Sequence, residues 1–125
     1  MSGHRTSLKR PLNPEERALC EWLIEHGSPS AAKYASQLDH VTVVSGCTCG
    51  CPTVDLAVDG VFSSGASEII GDAVGDSNGV QVGVMLHCRQ GQLSELEVYP
   101  FEDQKAPFGL PTLQSLTSIL DETPE

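Results

Sequence analysis

Residues 80–89 constrain the fold more than any other stretch of this chain. Val80, Val82, Val84, Leu86 and Cys88 alternate with Gln81, Gly83, Met85, His87 and Arg89. A period of two puts the first set on one face of an extended strand and the second set on the other. One face is apolar and the other mixed, which is the pattern of a sheet packed on one side only. Ser77-Asn78-Gly79 precedes this strand and Gln90-Gly91 follows it, and both are tight-turn signals. Short turns imply antiparallel neighbours, because parallel strands need long crossovers.

The flanking segments extend the sheet. Val41-Thr42-Val43-Val44 is rich in β-branched residues and reads as a strand. Residues 53–58 alternate, with Val54, Leu56 and Val58 on one face and Asp55 and Ala57 on the other. Gly50-Cys51-Pro52 lies between these strands and predicts a hairpin with a non-standard turn. A loop at Ser63-Ser64-Gly65 leads to a weaker strand over about residues 68–74. Beyond Gln90-Gly91 the chain returns through residues 93–99. There Leu96 and Val98 share one parity while Leu93 has the other, so a β-bulge is expected near Ser94-Glu95. Glu95, Glu97 and Tyr99 then share the wetter face.

Helical signals lie at the ends. Asn13 can cap a helix, Pro14 suits its first position, and Glu16 stands at capping-box spacing. Leu19, Trp22, Leu23 and His26 form its stripe, with Cys20 and Ile24 beside it, and Gly27 is a natural stop. Ser28-Pro29 repeats the start. Ala31, Tyr34, Ala35 and Leu38 then predict a second short helix to about residue 38. Leu113, Leu116, Ile119 and Leu120 predict a short C-terminal helix. The expected architecture is a two-layer α+β domain over residues 11–125, with residues 1–10 as a flexible tail. Its antiparallel sheet has about five strands, with two N-terminal helices and one C-terminal helix.

The net charge of −10 is uneven. Residues 1–34 carry +1, whereas residues 35–125 carry −11, with only Arg89 and Lys105 as cations. So acidic a body repels phosphate backbones and argues against nucleic-acid binding. No apolar run is long enough for a membrane span. The first ten residues lack the apolar core of a secretory signal, and five cysteines without such a signal point to a reducing cytoplasm.

Arg10-Pro11-Leu12 followed by Glu15-Glu16 and an apolar helix, together with the late Glu95-Leu96-Glu97-Val98-Tyr99 strand, resembles a group of small bacterial proteins of unknown function. The resemblance implies a similar α+β fold and carries over no catalytic residue. The three-cysteine turn reads as a variant of that group's glycine-rich turn.

Cys47, Cys49 and Cys51 alternate, so an extended segment would project all three thiols to one side. Three thiolates suit Zn²⁺, with Cys88, His87, His40 or water as the fourth ligand. His87 and Cys88 point to opposite faces and cannot both serve. The spacing departs from the usual Cys-x-x-Cys of zinc sites. A Cys-x-Cys redox couple is a further reading, but the acid-rich surroundings offer few cations to lower a thiol pKa. The third reading is that the cysteines only fill core and turn positions, and the sequence leans that way, with no cofactor. Glu95 and Glu97 are a same-face carboxylate pair that could serve acid–base chemistry in a cleft, although a solvated face is the ordinary explanation.

Two functions of different class stay open. One is a non-enzymatic binding module, of the bacterial immunity type, whose acidic face takes a basic protein partner. The other is a small Zn²⁺-binding or thiol-redox protein using Cys47, Cys49 and Cys51. An exposed sheet face carrying Met85 and Tyr99 also allows a homodimer.

Overall fold

The computed structural model describes residues 5–47, 52–61, 64–102 and 108–119. Seven strands form one sheet: β1 (Arg5–Pro11), β2 (Val41–Cys47), β3 (Val54–Val58), β4 (Ser67–Ser77), β5 (Val80–Arg89), β6 (Gln92–Pro100) and β7 (Thr117–Ser118). Their order across the sheet is β1-β2-β3-β6-β5-β4-β7. Every pairing between neighbours is antiparallel. The helix α1 (Pro14–Glu25) and a 3₁₀ helix at Pro29–His40 cover one sheet face, α1 against β4 and β5. The chain is therefore α+β with a single antiparallel sheet.

The β4–β5–β6 meander follows from its turns. Asn78-Gly79 and Gln90-Gly91 place both central residues at positive φ, with values of 51° and 91°, then 52° and 78°. That backbone matches the twist of the strands it joins. The alternation in β5 points Val82, Val84, Leu86 and Cys88 into the core. They meet Leu19, Cys20 and Leu23 of α1 and Leu93, Leu96 and Val98 of β6 in one cluster.

Helix α1 starts as its sequence dictates. Asn13 Oδ1 accepts from the Glu16 backbone N–H at 2.7 Å, and Glu16 Oε1 accepts from the Asn13 N–H at 3.0 Å. The buried stripe is Glu16, Leu19, Cys20, Leu23 and Ile24. Trp22 and His26 lie at its margin, stacked with ring centroids 4.0 Å apart.

Four expectations are corrected. Residues 5–10 of the expected tail belong to strand β1, which pairs with β2. A sheet-edge strand needs only one hydrogen-bonded neighbour and tolerates Lys and Arg, so it lacks an apolar signature. The second helix is 3₁₀ rather than α and reaches His40, burying Ala31, Tyr34 and Leu38 while Ala35 faces solvent. The C-terminal helix is instead a single 3₁₀ turn, Leu113–Ser115, followed by the two-residue β7. Leu113 and Ile119, two members of the expected stripe, are exposed, so burial does not favour a helix there. The sheet thus has seven strands, not about five. Among the described residues, no helix is long and apolar enough to cross a membrane.

Candidate functional site on the outer sheet face

The face of the sheet opposite α1 gathers the groups with most chemistry. In the register, His87 of β5 stands opposite Glu95 of β6, and Met85 stands opposite Glu97. The same two rows continue into β4, where His87 faces Ile69 and Met85 faces Asp72. On β3, Asp55 stands opposite Glu95.

Two register shifts build this arrangement. Between His87 and Cys88 the partner on β6 jumps from Glu95 to Leu93, leaving Ser94 as the extra residue. The bulge lets Leu93 turn inward with Leu96 while Glu95 and Glu97 stay outward. On β4, the partners Ile69–His87 and Gly71–Leu86 leave Ile70 as the extra residue. Ile70 is buried and Ile69 exposed. This second bulge reverses the parity of β4, so Asp72 joins Ile69 on the outer face.

His87 is the centre of the cluster. The residue is only 8 % exposed, and its Nε2 lies 2.8 Å from Glu97 Oε1. One ligand atom each from His87, Glu95 and Glu97 lies within 4.8 Å of the others. His87 Nδ1 and Asp72 Oδ1 are both buried and have no hydrogen-bond partner. Burial raises the Asp72 carboxyl above its ordinary range, with His87 opposing the rise and Glu97 adding to it.

Tyr99 closes one end. A Cβ on Gly83, its partner in the register, would fall 2.2 Å from the Tyr99 ring, so the ring lies across the bare glycine. Burial raises the Tyr99 hydroxyl, and the nearby Asp72 and Glu97 charges add to this. Phe101 follows, its ring centroid 6.0 Å from that of Tyr99. Asp55 accepts a 2.5 Å hydrogen bond from Ser45 Oγ on β2.

The sequence-derived metal ligands are distributed differently. Cys49, Cys51 and the side chain of Cys47 lie outside the described residues. Cys88 is fully buried on the opposite, inner face, with its Sγ 3.9 Å from Glu68 Oε1. A hydrogen bond with Cys88, together with burial, pushes the Tyr34 hydroxyl up to about 12. Strands β3 and β6 separate β5 from β2, which ends at Cys47, so Cys88 lies three strands away. At ordinary strand spacing that is about 14 Å. His40 lies beyond the other end of β2, 3.1 Å from Asp59. The polar parity of His87, Glu95 and Glu97 is legible in the sequence, but their union depends on the cross-strand register. Asp72 joins them only through the Ile70 bulge, for which the neighbouring Gly71 is the sole local hint.

A cleft of about 370 Å³ near the start of α1 is lined by Arg10, Glu16, Gly46, Thr53 and Leu110 among others. Its main charged groups are already spent on each other, because Arg10 binds Glu16 through two 2.8 Å contacts. The outer sheet face therefore carries the stronger case.

Residues 9–106 match the model of a family described as a domain of unknown function, DUF6984. No curated protein and no solved structure matches the chain.

Proposed function

The chain belongs to the DUF6984 family, and we propose that it is a non-enzymatic binding module whose acidic outer sheet face receives a basic segment of a protein partner. One observation carries this reading: Asp55 on β3, Glu95 and Glu97 on β6 and Asp72 on β4 gather on one face of the sheet, on either side of His87 and Met85 of β5. Apolar surface for contact lies among them, from the exposed Ile69 and from Met85 and Tyr99. The −11 charge of residues 35–125 would steer a basic partner toward this body before contact. A mixed patch of aromatic, methionine and charged groups on rigid strands is suited to binding.

The test is capture by the immobilised chain at low and high ionic strength. A variant with Asp72→Asn, Glu95→Gln and Glu97→Gln, checked for its fold by circular dichroism, serves as comparison. The expected result is a basic protein retained at low salt, released by added salt, and held at least tenfold more weakly by the variant. Equal retention by both chains, or retention indifferent to salt, would overturn the proposal.

A further inference from the structure

We propose that His87, Glu95 and Glu97 form a binding site for a divalent first-row transition-metal ion, with Asp72 as the outer partner of His87. This goes beyond the protein-binding role and does not depend on it.

The ligand set fits such an ion. One imidazole and two carboxylates are the donor types that Zn²⁺ takes at about 2.0–2.2 Å. Imidazole as a donor argues against Ca²⁺ and Mg²⁺, which prefer oxygen throughout. Two atoms bound to one such ion stand about 3–3.5 Å apart. The 2.8 Å between His87 Nε2 and Glu97 Oε1, and the 4.8 Å limit on the whole trio, bracket that separation. All three side chains stand on paired central strands, so the donors are preorganised. Three protein ligands leave a fourth position for water or for a donor from a partner.

The two orphaned atoms supply an independent argument. When Nε2 donates its hydrogen to Glu97, neutral His87 presents a bare lone pair at Nδ1. That atom is buried without a partner, and so is Asp72 Oδ1 on the neighbouring strand. As they stand, neither atom is within hydrogen-bond reach of the other. A metal on Nε2 fixes the ring proton on Nδ1, which becomes a donor in need of an acceptor. With the proton fixed there, a shift of the Asp72 side chain, which stands diagonally across from His87 on the β4–β5 pair, would bring the two orphans together. A ligating histidine ordinarily gives its second N–H to a carboxylate in this way.

The experiment must separate this site from the cysteine segment. Chelator-treated chain carrying Cys47→Ser, Cys49→Ser and Cys51→Ser is titrated with ZnCl₂ by calorimetry. The expected result is one equivalent bound, with affinity falling at least tenfold in His87→Gln and in Glu97→Gln. Asp72→Asn should weaken binding by about tenfold or more, as loss of an outer partner does. Less than about a tenth of an equivalent bound, or affinity unchanged in His87→Gln and Glu97→Gln, would overturn the proposal. If the serine background fails to fold, the chain with native cysteines is titrated with Co²⁺ and Mn²⁺ instead. Paramagnetic broadening centred on the amides of residues 87, 95 and 97 supports the site. Thiolate charge-transfer bands without that broadening refute it.

Discussion

Arg10, next to last in β1, grips Glu16 in the first turn of α1 through two contacts of 2.8 Å. The same carboxylate accepts from the Asn13 backbone N–H, so one side chain joins the sheet edge, the cap and the helix. Burial alone would raise the Glu16 carboxyl, but the Arg10 and Asn13 hydrogen bonds outweigh it and hold the group below its ordinary range. Glu16→Gln removes the charge from a buried, hydrogen-bonded acceptor and should cost about 2 kcal/mol in urea unfolding. The pH dependence has a defined sign. In the acid range the unfolded chain binds the proton more readily than the folded one, so stability falls as pH falls. The contribution of Glu16 is complete above the ordinary carboxylate range and disappears as pH drops through the lowered folded value. The Gln variant should lack that part of the acid slope, and an identical slope in both chains would refute the assignment.

Tyr99 and Gly83 are coupled in the same sense. The ring occupies the space a side chain at Gly83 would need. Gly83→Val should therefore destabilise the fold by about 2 kcal/mol through overpacking. Removing the ring first makes room for the new side chain. In a cycle with Tyr99→Ala, the double variant should be more stable than the sum of the single effects by about 1 kcal/mol. Strict additivity in urea unfolding would mean that the ring does not lie on the glycine.

These relationships show which levels of structure the sequence carries. The two faces of β5, the capped start of α1, the paired turns and the bulge at Ser94 are all local patterns, and each is readable from neighbouring residues. Strand β1 is different. A polar edge strand differs little in composition from a solvated tail, and only its pairing with β2 distinguishes it. The 3₁₀ helix is obscured because periods of 3 and 3.6 diverge little over the eight residues from Ala31 to Leu38. The candidate site is the least legible part. His87, Glu95 and Glu97 can be assigned to polar faces one strand at a time, but their contact is a property of register. Asp72 reaches the same face only because Ile70 inserts an extra residue, and the one local hint of that bulge is Gly71 beside it, a glycine inside a strand.

Gln90 offers a stabilising change. It holds φ at 52° in a two-residue turn, a conformation that Asn adopts more readily than Gln. Its side chain is exposed, so little packing is at stake. Gln90→Asn should raise stability by about 0.5 kcal/mol. The readout is the midpoint of thermal unfolding, and a lowered midpoint would contradict the turn assignment.

The buried thiols give a prediction that separates core from surface chemistry. Cys20 and Cys88 are both fully buried in the core. Burial, reinforced by the Glu16 and Glu21 carboxylates, pushes the Cys20 thiol up to about 12, far from the thiolate needed for reaction at neutral pH. A chain carrying Cys47→Ser, Cys49→Ser and Cys51→Ser retains only these two thiols. Under native conditions they should resist a disulfide reagent on the timescale over which free cysteine reacts. In concentrated denaturant both should react at once. At intermediate denaturant the labelling rate should follow the opening of the core, because reagent reaches the sulfurs only when α1, which carries Cys20, and the 3₁₀ helix, whose Tyr34 meets Cys88, separate from the sheet. Prompt labelling of either thiol in the native chain would mean that the core is open at that position, and would remove the packing of α1 on the sheet from which the outer face derives its rigidity.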